Sequence, residues 1–443
     1  MKEICPTFCS RAVPAVALAL QLCALLACAQ TPRGAGATQN ETAATPVETA
    51  NASGESQAGA WRPARYEIKP EDLPPPNQTR SADNPSRIVK QPAGARLQLP
   101  PGFSIETYAE GDFEEARWMA LAPGGDVFVS DGGAGKIYIL RDSDGDGRVD
   151  ARFTFAENLT QPFGMAFNGD YFYVADTNAV LRFHYRAGQT RADSPPEKIA
   201  DLPGLGYNQH WTRDIVFRPD GQKLYVTVGS KTNASVEPDT MRAAVTEFNP
   251  DGTGKRTFAT GLRNAVGIAF YPGTQTLFAT VNERDELGDD LVPDYLTSVR
   301  DGGFYGWPYF YIGPHPDPRV HDAPPDLAQK TITPDLLIQS HSAALGLVFY
   351  QGQMFPSDFR GDAFVALHGS WNRSRLTGFK IIRVPFRDGR PAGFYEDFIT
   401  GWLTDENSRQ VWGRPVGLLV LRDGSLLITD DGANKIWRVT YKK

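Results

Sequence analysis

The sequence has no cysteine over most of its length and contains little histidine. All four cysteines lie at or before Cys28, and the 443 residues include only six histidines. Disulfides normally form in exported proteins, but a chain that begins at Cys28 has no pair of thiols to join. A protein exported in that form must be stabilised by its core alone.

The sequence also lacks two patterns that define large functional classes. No G-x-G-x-x-G motif follows a strand pattern and opens a helix, which argues against a nicotinamide-binding fold. The net charge of −7 arises from dispersed acidic residues, and no patch of Lys and Arg interrupts them. That distribution argues against a nucleic acid as the partner.

The N-terminus carries the pattern of an exported lipoprotein. Lys2 and Arg11 precede an apolar run over 12–27 that is too short to span a bilayer as a stable helix. The letters LLAC end at Cys28 and resemble a bacterial lipoprotein signal, in which this cysteine is acylated. We therefore expect a signal peptide over 1–27, lipidation of Cys28, and a place in the bacterial cell envelope, facing the periplasm or the surface. A plain secretory signal is the alternative.

The next segment has the composition of a linker. Residues 28–96 are rich in Ala, Thr, Pro, Gly and Asn and show no sustained period. This composition predicts a flexible tether that lifts a domain off the membrane. The remaining residues, 97–443, are sufficient for one large all-β domain or two smaller ones.

A short pattern recurs six times in the second part of the chain. Each copy has an apolar triplet, a turn carrying Pro, Asp, Gly or Asn, and a second apolar triplet. These copies predict short strands joined by tight turns, and helical periodicity is nowhere sustained. Six such units around an axis predict an all-β, six-bladed β-propeller, with a β-sandwich as the alternative. We expect residues 103–109 to pair with the last blade and close the ring. The copies lie at 119–131, 165–176, 215–229, 268–282, 347–369 and 418–431.

One turn is unusually acidic. Asp142, Asp144, Asp146 and Asp150 surround two glycines, and carboxylates at alternate positions can wrap a hard cation in oxygen ligands. An EF-hand does not fit, because the flanks read as strands and the twelfth position is aromatic. We expect a structural Ca²⁺ between the first two blades, and a solvated acidic turn is the alternative.

Basic residues gather at the ends of predicted strands. Arg263 and Asn264 stand directly before the strand of the fourth repeat, where a forked donor and an amide would face a propeller mouth. A loop-capping pair is the alternative for these two residues. Arg373, Arg375 and Arg414 stand near other strand ends, and basic groups on consecutive blades suggest a ligand with several carboxylates.

Histidine and aromatic residues accompany these arginines. His210 precedes the strand of the third repeat, and its position fits packing, metal binding or a base that faces a pocket. His341 and His368 also stand near strand ends. The aromatics of GGFYGWP (302–308) fit the stacking of a planar cofactor or a sugar, or the cover of a loop core.

Together these motifs resemble the glucose/sorbosone dehydrogenase family. The matching letters, in chain order, are QHW, GLRNAVGIAF, NERDELGDDL with GGFYGWP, HSAALGLVFY, HGSWNR and GRPVGLLV. The similarity covers essentially all of 97–443. Members are soluble or lipid-anchored enzymes that use pyrroloquinoline quinone (PQQ) on a six-bladed propeller. The resemblance implies a PQQ- and Ca²⁺-dependent oxidation of a sugar or sugar aldehyde, with electrons passing to a periplasmic or membrane acceptor.

The resemblance also implies catalytic roles. His210 matches the family's general base, which takes the proton of the substrate hydroxyl while hydride moves to the quinone. Arg263 and Asn264 match the pair that contacts the quinone oxygens, where a fixed positive charge stabilises the developing quinolate. Arg263 is therefore expected to be catalytic as well as cofactor-binding.

Other positions match binding residues of the family. Arg414 matches an arginine that binds a cofactor carboxylate, and Arg373 or Arg375 stands where another basic contact is expected. Gln161 matches a substrate-side glutamine.

The sequence departs from the family pattern at the calcium site and at the substrate wall. Relatives bind the catalytic Ca²⁺ through main-chain carbonyls of a Gly-Pro segment, but Glu283 lies in the corresponding stretch here. Asp289 and Asp290 match an acidic pair associated with a second Ca²⁺. The letters HSAA replace an aromatic-rich substrate wall, so glucose need not be the substrate.

Two other functions are compatible with the sequence. Six-bladed propellers also include Ca²⁺-dependent lactonases, in which acidic and Asn ligands hold a metal that polarises an ester. Those need few arginines, and the arginines here favour PQQ. The third interpretation is a non-catalytic, lipid-anchored propeller that binds carbohydrate or protein.

Overall fold

The structure is a computed structural model that describes residue 61 and residues 63–204 and 210–442. The predicted signal peptide, Cys28 and the first part of the predicted tether lie outside these residues. Within the described ranges, no helix is long and apolar enough to pass through a membrane. The regular structure there is nearly all β, with one short α-helix, α1 (Leu327–Lys330), and two 3-10 turns, Pro70–Asp72 and Ser357–Phe359.

The strands are short, as expected from the spacing of turn residues. The first sixteen are β1 (Arg65–Tyr66), β2 (Arg87–Ile88), β3 (Phe103–Glu110), β4 (Ala116–Leu121), β5 (Val127–Asp131), β6 (Lys136–Arg141), β7 (Ala151–Ala156), β8 (Met165–Asn168), β9 (Tyr171–Asp176), β10 (Ala179–His184), β11 (Glu197–Asp201), β12 (Ile215–Phe217), β13 (Leu224–Val228), β14 (Ala244–Phe248), β15 (Arg256–Thr260) and β16 (Asn264–Phe270). The others are β17 (Leu277–Asn282), β18 (Asp294–Val299), β19 (Gly303–Phe304), β20 (Phe310–Tyr311), β21 (His315–Pro316), β22 (Leu336–Ile338), β23 (Ala344–Phe349), β24 (Ala363–Leu367), β25 (Lys380–Val384), β26 (Phe386–Arg387), β27 (Arg390–Pro391), β28 (Tyr395–Ile399), β29 (Gln410–Val411), β30 (Pro415–Val420), β31 (Leu426–Asp430) and β32 (Lys435–Tyr441).

Six sheets follow one another along the chain, which confirms the predicted six-bladed β-propeller. From the axis outward, the blades are β4–β5–β6–β7, β8–β9–β10–β11, β12–β13–β14–β15, β16–β17–β18–β22, β23–β24–β25–β28 and β30–β31–β32–β3. The first strand of each blade packs against the first strand of the next. Strand β3 pairs with β32, so the expected closure of the ring through residues 103–109 is confirmed.

Several inner strands contain a bulge that ties neighbouring blades together. The registers of β4, β16, β23 and β30 shift within their first five residues. At the bulge of β30, the hydroxyl of Thr429 accepts from the Gly417 N–H and donates to the Arg117 carbonyl of blade 1 at 2.6 Å. Thr280 makes the same link from blade 4 to blade 5. Ser130 makes it from blade 1 to blade 2. The hydroxyl replaces the ladder bond that the bulge removes and fixes where each inner strand begins.

An apolar cluster closes the axial channel. Phe163, Val266, Leu345 and Val416 are buried around the axis and pack with Trp118 and Trp211 from the same strand ends. Since Val266 and Leu345 also line the cavity described below, this cluster forms the floor of that cavity.

Residues 63–96 differ from the predicted tether, because the structure packs them along the propeller. Strand β1 pairs with β28, and the Tyr66 ring stacks on Tyr395 with the ring centroids 4.7 Å apart. Strand β2 pairs in parallel with β29. Ile68 and Leu73 pack against the apolar core. The anchors are single apolar side chains between polar and proline residues, so they leave no periodic signal in the sequence. We call residues 63–96 the N-terminal strap.

Candidate active site at the propeller axis

The inner strands begin around one cavity on the propeller axis, with a volume of about 240 Å³. Blades 1, 3, 4, 5 and 6 contribute to its wall. The polar and charged lining residues are Arg117, His210, Thr212, Arg263, Asn264, Asn282, Glu283, Asp285, Asp294, His341, His368 and Arg414. The sequence-predicted residues His210, Arg263, Asn264 and Arg414 are therefore brought together.

Buried aspartates fix the loops that lead into the inner strands. Asp430, at the end of β31, accepts from the main-chain N–H of Arg414 at 2.6 Å and of Ala433 at 2.9 Å. Asp131 holds the loop before β4 in the same way through Glu114 and Glu115, both at 2.8 Å. In these two blades, an aspartate at the end of the second strand therefore positions the cavity-lining side chain at the start of the first strand.

His210 presents one ring nitrogen to the cavity in its unprotonated form. Its Nδ1 lies 2.8 Å from the main-chain oxygen of Ser230, which is an acceptor, so Nδ1 carries the proton. The lone pair then resides on Nε2. Burial, and secondly the charge of Arg263, lower the pKa of His210 to about 3. The imidazole is therefore neutral and can accept a proton at Nε2.

The place of His210 depends on a glycine. A Cβ on Gly229 would lie 2.7 Å from Cβ of His210 and 2.3 Å from Oδ1 of Asn264. No side chain fits there without moving both residues. Gly229 directly follows the second strand of blade 3, β13 (Leu224–Val228).

Arg263 lies on the cavity wall, but its donors already have protein partners. Its guanidinium donates to the main chain of Asn233, Asn282 and Glu283, to the Asn233 side chain at 3.0 Å, and to Asp285 at 3.0 Å. These bonds use all five N–H groups of an arginine. The structure thus differs from the expectation that Arg263 donates to the quinone oxygens. What Arg263 supplies is a buried positive charge beside His210.

Asp285 links Arg263 to a second histidine. Its Oδ1 lies 3.4 Å from Nδ1 of His341, and His341 Nε2 donates to the Gly288 carbonyl at 3.0 Å. Burial lowers the pKa of His341, but the bond to Asp285 outweighs it, so the net shift is upward. With both nitrogens bonded to acceptors, His341 does not offer a free base to the cavity.

Asn264 carries an unsatisfied acceptor. Its Oδ1 is buried and has no hydrogen-bond partner, and the Oγ1 of Thr212 on the same wall is in the same state. Buried polar atoms normally have partners, so these two mark places where a bound ligand would supply a donor.

The opposite wall, from blades 1, 5 and 6, contains two arginines and a histidine around one acid. Asp431 accepts from Nη1 of Arg117 and from Nε2 of His368 at 3.0 Å, while Nη2 of Arg414 donates to Nδ1 of His368 at 3.0 Å. Burial, and then the charge of Arg414, lower the pKa of His368 to about 4, so this ring is neutral. Burial raises the pKa of Asp431, but its cationic neighbours outweigh that effect and hold it far below its usual range.

Both arginines of this wall retain free donors. The Nε of Arg117 is buried without a partner, and Nη1 of Arg414 has no partner among the described residues. The guanidinium of Arg117 lies 5.2 Å from the centre of the Trp211 ring, which holds it in place. An anion in the cavity would find its donors on this wall.

Three predicted cofactor and substrate contacts lie elsewhere. Arg373 bonds to the main chain of Asp289 and, at 2.6 Å, to the carboxylate of Asp290. Arg375 is exposed and pairs with Glu406. Gln161 is half-buried in the loop before β8. None of the three lines the cavity.

The acidic residues expected to bind calcium near the cofactor do not converge on one cation site. Glu283 lies on the cavity wall, where its Oε2 accepts from Nε of Arg284 at 2.9 Å and its Oε1 is buried without a hydrogen-bond partner. Asp289 is held by Ser374, and Asp290 by Arg373. Neither aspartate lines the cavity, so the three acids are not brought together around one cation.

The acidic turn lies between β6 and β7, at the end of the blade opposite the cavity. Asp142, Asp144 and Asp146 have ligand atoms within 4.8 Å of one another, and they are the one such acidic group among the described residues. Asp142 already accepts from Gly145 and Gly147, and Asp150 accepts from Ser143 N at 2.5 Å, so the turn is closed by its own hydrogen bonds. A structural Ca²⁺ here stays a prediction.

Sequence reasoning missed several residues of the site. Arg117 had a positional signal, since it stands just before the first repeat (119–131), as Arg263 and Asn264 stand before the fourth (268–282). Asp431 could have been found from the sequence, since the sixth repeat ends in two aspartates, whereas the first and second repeats each end in one. Asp285 lies within the motif NERDELGDDL, but its partners are 22 and 56 positions away in the sequence (263 to 285 and 285 to 341).

A family model described as TrAA12-like matches residues 97–294 and 317–442. An uncharacterized protein of Borreliella burgdorferi is 27% identical over 366 residues, which are 80% of this chain and 94% of that protein. A pyrroloquinoline quinone-dependent pyranose dehydrogenase of Coprinopsis cinerea is 31% identical over 122 residues, but these are only 24% of this chain and 16% of that enzyme.

Solved structures share the architecture. The PQQ domain of Coprinopsis cinerea pyranose dehydrogenase, in its holo form, has a TM-score of 0.65 and 20% identity, covering 79% of this chain and 98% of that one. The calcium structure of a Trichoderma reesei family AA12 enzyme has a TM-score of 0.68 and 18% identity, covering 80% and 98%. The PQQ-bound aldose sugar dehydrogenase of Streptomyces coelicolor has a TM-score of 0.54 and 18% identity, covering 78% and 100%.

At these identities the solved structures establish a common fold, that of the PQQ-dependent sugar dehydrogenases. The predicted resemblance to the glucose/sorbosone dehydrogenases is thus confirmed. Since the matched segments cover most of the sequence, this chain belongs to the TrAA12-like family.

Proposed function

We propose that the protein is a PQQ-dependent dehydrogenase that oxidises a sugar or sugar aldehyde. One observation carries the proposal: His210, with its lone pair on Nε2, shares an axial cavity with the free donors of Arg117 and Arg414. A neutral base and an anion-binding wall are what oxidation with a polycarboxylate cofactor requires.

The residues of the cavity fit PQQ. Its carboxylates match the free donors of Arg117 and Arg414, and the unsatisfied Oδ1 of Asn264 accepts an N–H. When bound, the quinone supplies a two-electron acceptor. The charge of Arg263 favours a build-up of negative charge nearby without a direct hydrogen bond. The apolar floor formed around Phe163 and Val266 excludes water from below.

The tautomer of His210 determines which ring nitrogen receives the substrate proton. Nε2 accepts the proton of the substrate hydroxyl, and the Ser230 carbonyl, 2.8 Å from Nδ1, stabilises the charge that then develops on the ring. No step is assigned to calcium, because Asp289 and Asp290 are bonded to Ser374 and Arg373 away from the cavity, and only Glu283 of the three acids lines it. The electron acceptor and the anchoring through Cys28 stay predictions.

Reconstitution of the apo protein with PQQ, with and without Ca²⁺, tests the proposal. Binding is followed by the absorbance of PQQ, and turnover by dye reduction with a panel of aldoses and aldose-derived aldehydes. We expect the wild type to bind PQQ and to reduce the dye. We expect His210→Ala to lose turnover while it retains PQQ binding. Lactone hydrolysis without quinone, or sugar binding with no turnover, would replace the proposal by one of its alternatives. Full turnover in His210→Ala would overturn the assignment of the base.

A further inference from the structure

Trp371 places an exposed aromatic surface at the mouth of the axial cavity. Its side chain is 43% exposed, although the residues on both sides, Ser370 and Asn372, are buried. Among the described residues, the large apolar side chains that are exposed are Trp371, Ile88 and Val236, and of these Trp371 alone lines the cavity. The function proposed above makes no use of it.

The loop that carries Trp371 is held in place through its main chain. The N–H of Asn84, in the N-terminal strap, donates to the Trp371 carbonyl at 2.8 Å. The Asn84 side chain donates to the carbonyls of Arg373 and Ser374, both at 3.1 Å. Asn372, next to Trp371, is buried and bridges two further main-chain groups. The backbone of Trp371 is therefore held in place, and its exposed indole is accessible to a ligand.

An exposed indole on an anchored loop beside a polar cavity suits a sugar. One face of a pyranose ring presents mainly C–H groups, whereas the ring edge carries hydroxyls. The C–H face packs on the electron-rich face of an aromatic ring, and the hydroxyls reach polar groups nearby. Because the loop is already ordered, the contact costs little conformational entropy.

The surroundings favour a small polar ligand over a protein partner. Protein interfaces need contiguous apolar area, typically about 800 Å² on each side. The chain neighbours of Trp371 are polar or charged, and Arg373 beyond Asn372 is paired with Asp290. A lone aromatic residue at the edge of a cavity that contains His210, Asn264 and Arg414 matches a saccharide site instead.

We propose that Trp371 is a stacking platform for a pyranose ring and determines sugar affinity at this cavity. The assignment of that sugar as the substrate rests on the proposed function, whereas the binding contact itself does not require the quinone. The hydroxyls of the stacked ring then face the polar groups of the cavity wall.

The test compares sugar affinity in Trp371→Ala, Trp371→Phe and the wild type. D-glucose, D-galactose and D-xylose are titrated by saturation-transfer NMR into apo and PQQ-loaded full-length protein. Trp371→Ala removes the ring on which the C–H face packs, so we expect it to weaken sugar binding by about tenfold or more. Trp371→Phe should retain most of the affinity.

Val236→Ala is the matched control, since Val236 is 60% exposed and does not line the cavity. It should bind sugar as the wild type does, and PQQ affinity should be unchanged in all three variants. Thermal unfolding checks the fold of Trp371→Ala, in which the hydrogen bond to the residue 371 carbonyl persists.

Unchanged sugar affinity in Trp371→Ala, or no sugar binding by the wild type in either form, would overturn the inference. Sugar binding that depends on Trp371 in a protein that does not bind PQQ would instead leave this inference standing and overturn the proposed function.

Discussion

The carboxylate of Asp285 lies 3.0 Å from Nη2 of Arg263, and both side chains are almost completely removed from solvent. A buried charge that loses its partner is strongly destabilising, because no water replaces the lost interaction. Asp285 also contacts His341, so one carboxylate stabilises two cationic groups on the cavity wall.

We expect Asp285→Asn to lower the free energy of unfolding by about 3 kcal/mol, since the uncompensated Arg263 stays buried. Urea unfolding, followed by circular dichroism, measures this change. Arg375→Ala is the control, because its pair with Glu406 is exposed and should leave the unfolding midpoint unchanged. Equal midpoints for Asp285→Asn and the wild type would contradict the assigned ion pair.

The histidines of the cavity should titrate differently. Burial lowers the pKa of His210 to about 3 and that of His368 to about 4, whereas the bond to Asp285 gives His341 a raised pKa. Between pH 5 and pH 8, NMR should therefore show constant ring shifts for His210 and His368, whereas His341 should stay protonated to a higher pH than an ordinary imidazole. Assignment uses single His→Gln variants. A His210 ring that titrates near its ordinary pKa in the apo protein would contradict the buried, neutral imidazole.

A bound polyanion should change the His210 titration. Arg263 lowers the pKa of His210, and a negative ligand nearby opposes that charge. We expect the pKa of His210 to rise when PQQ is added, so its ring shifts become pH-dependent within a higher range. The same experiment with Arg117→Gln, which weakens the anion-binding wall, serves as the comparison.

Arg117 should control cofactor affinity. A charge-assisted hydrogen bond contributes about 1.5–3 kcal/mol, so Arg117→Gln should weaken PQQ binding by roughly tenfold to hundredfold. Arg117→Lys should recover part of the loss, because it restores the charge without the forked geometry. Arg375→Ala, on the surface, should bind PQQ normally. If Arg375→Ala and not Arg117→Gln loses affinity, the cofactor wall has been placed wrongly.

Gly229 should be irreplaceable for activity. An added methyl would lie 2.7 Å from His210 and 2.3 Å from Asn264, so Gly229→Ala must displace at least one of them. We expect turnover to fall by an order of magnitude or more, since small misplacements of catalytic groups are costly. Gly273→Ala is the control, because a Cβ at Gly273 would have nothing within 4 Å, although the φ of 71° at this residue adds backbone strain. A fall in turnover confined to Gly229→Ala supports the packing argument.

The fold and part of the site could be predicted from the sequence. Repeats of apolar triplets and turns report the blades directly, and residues just before an inner strand, such as His210 and Asn264, must face the axis. The residues that bind and orient these side chains could not be predicted from the sequence. Nothing near Arg263 in the sequence shows that Asp285 and Asn233 use its donors, and nothing in the strap composition shows that Tyr66 docks on Tyr395. Such contacts depend on packing between distant segments rather than on local pattern.

The pairing of β3 with β32 has a consequence for biosynthesis. Arg117 of blade 1 and Asp431 of blade 6 also form a hydrogen bond, although 314 positions separate them. A nascent chain that ends before Asp431 lacks β32 as well, so neither the β3–β32 pair nor the contact between Arg117 and Asp431 can form. We therefore expect this wall of the cavity to be assembled only when synthesis is almost complete.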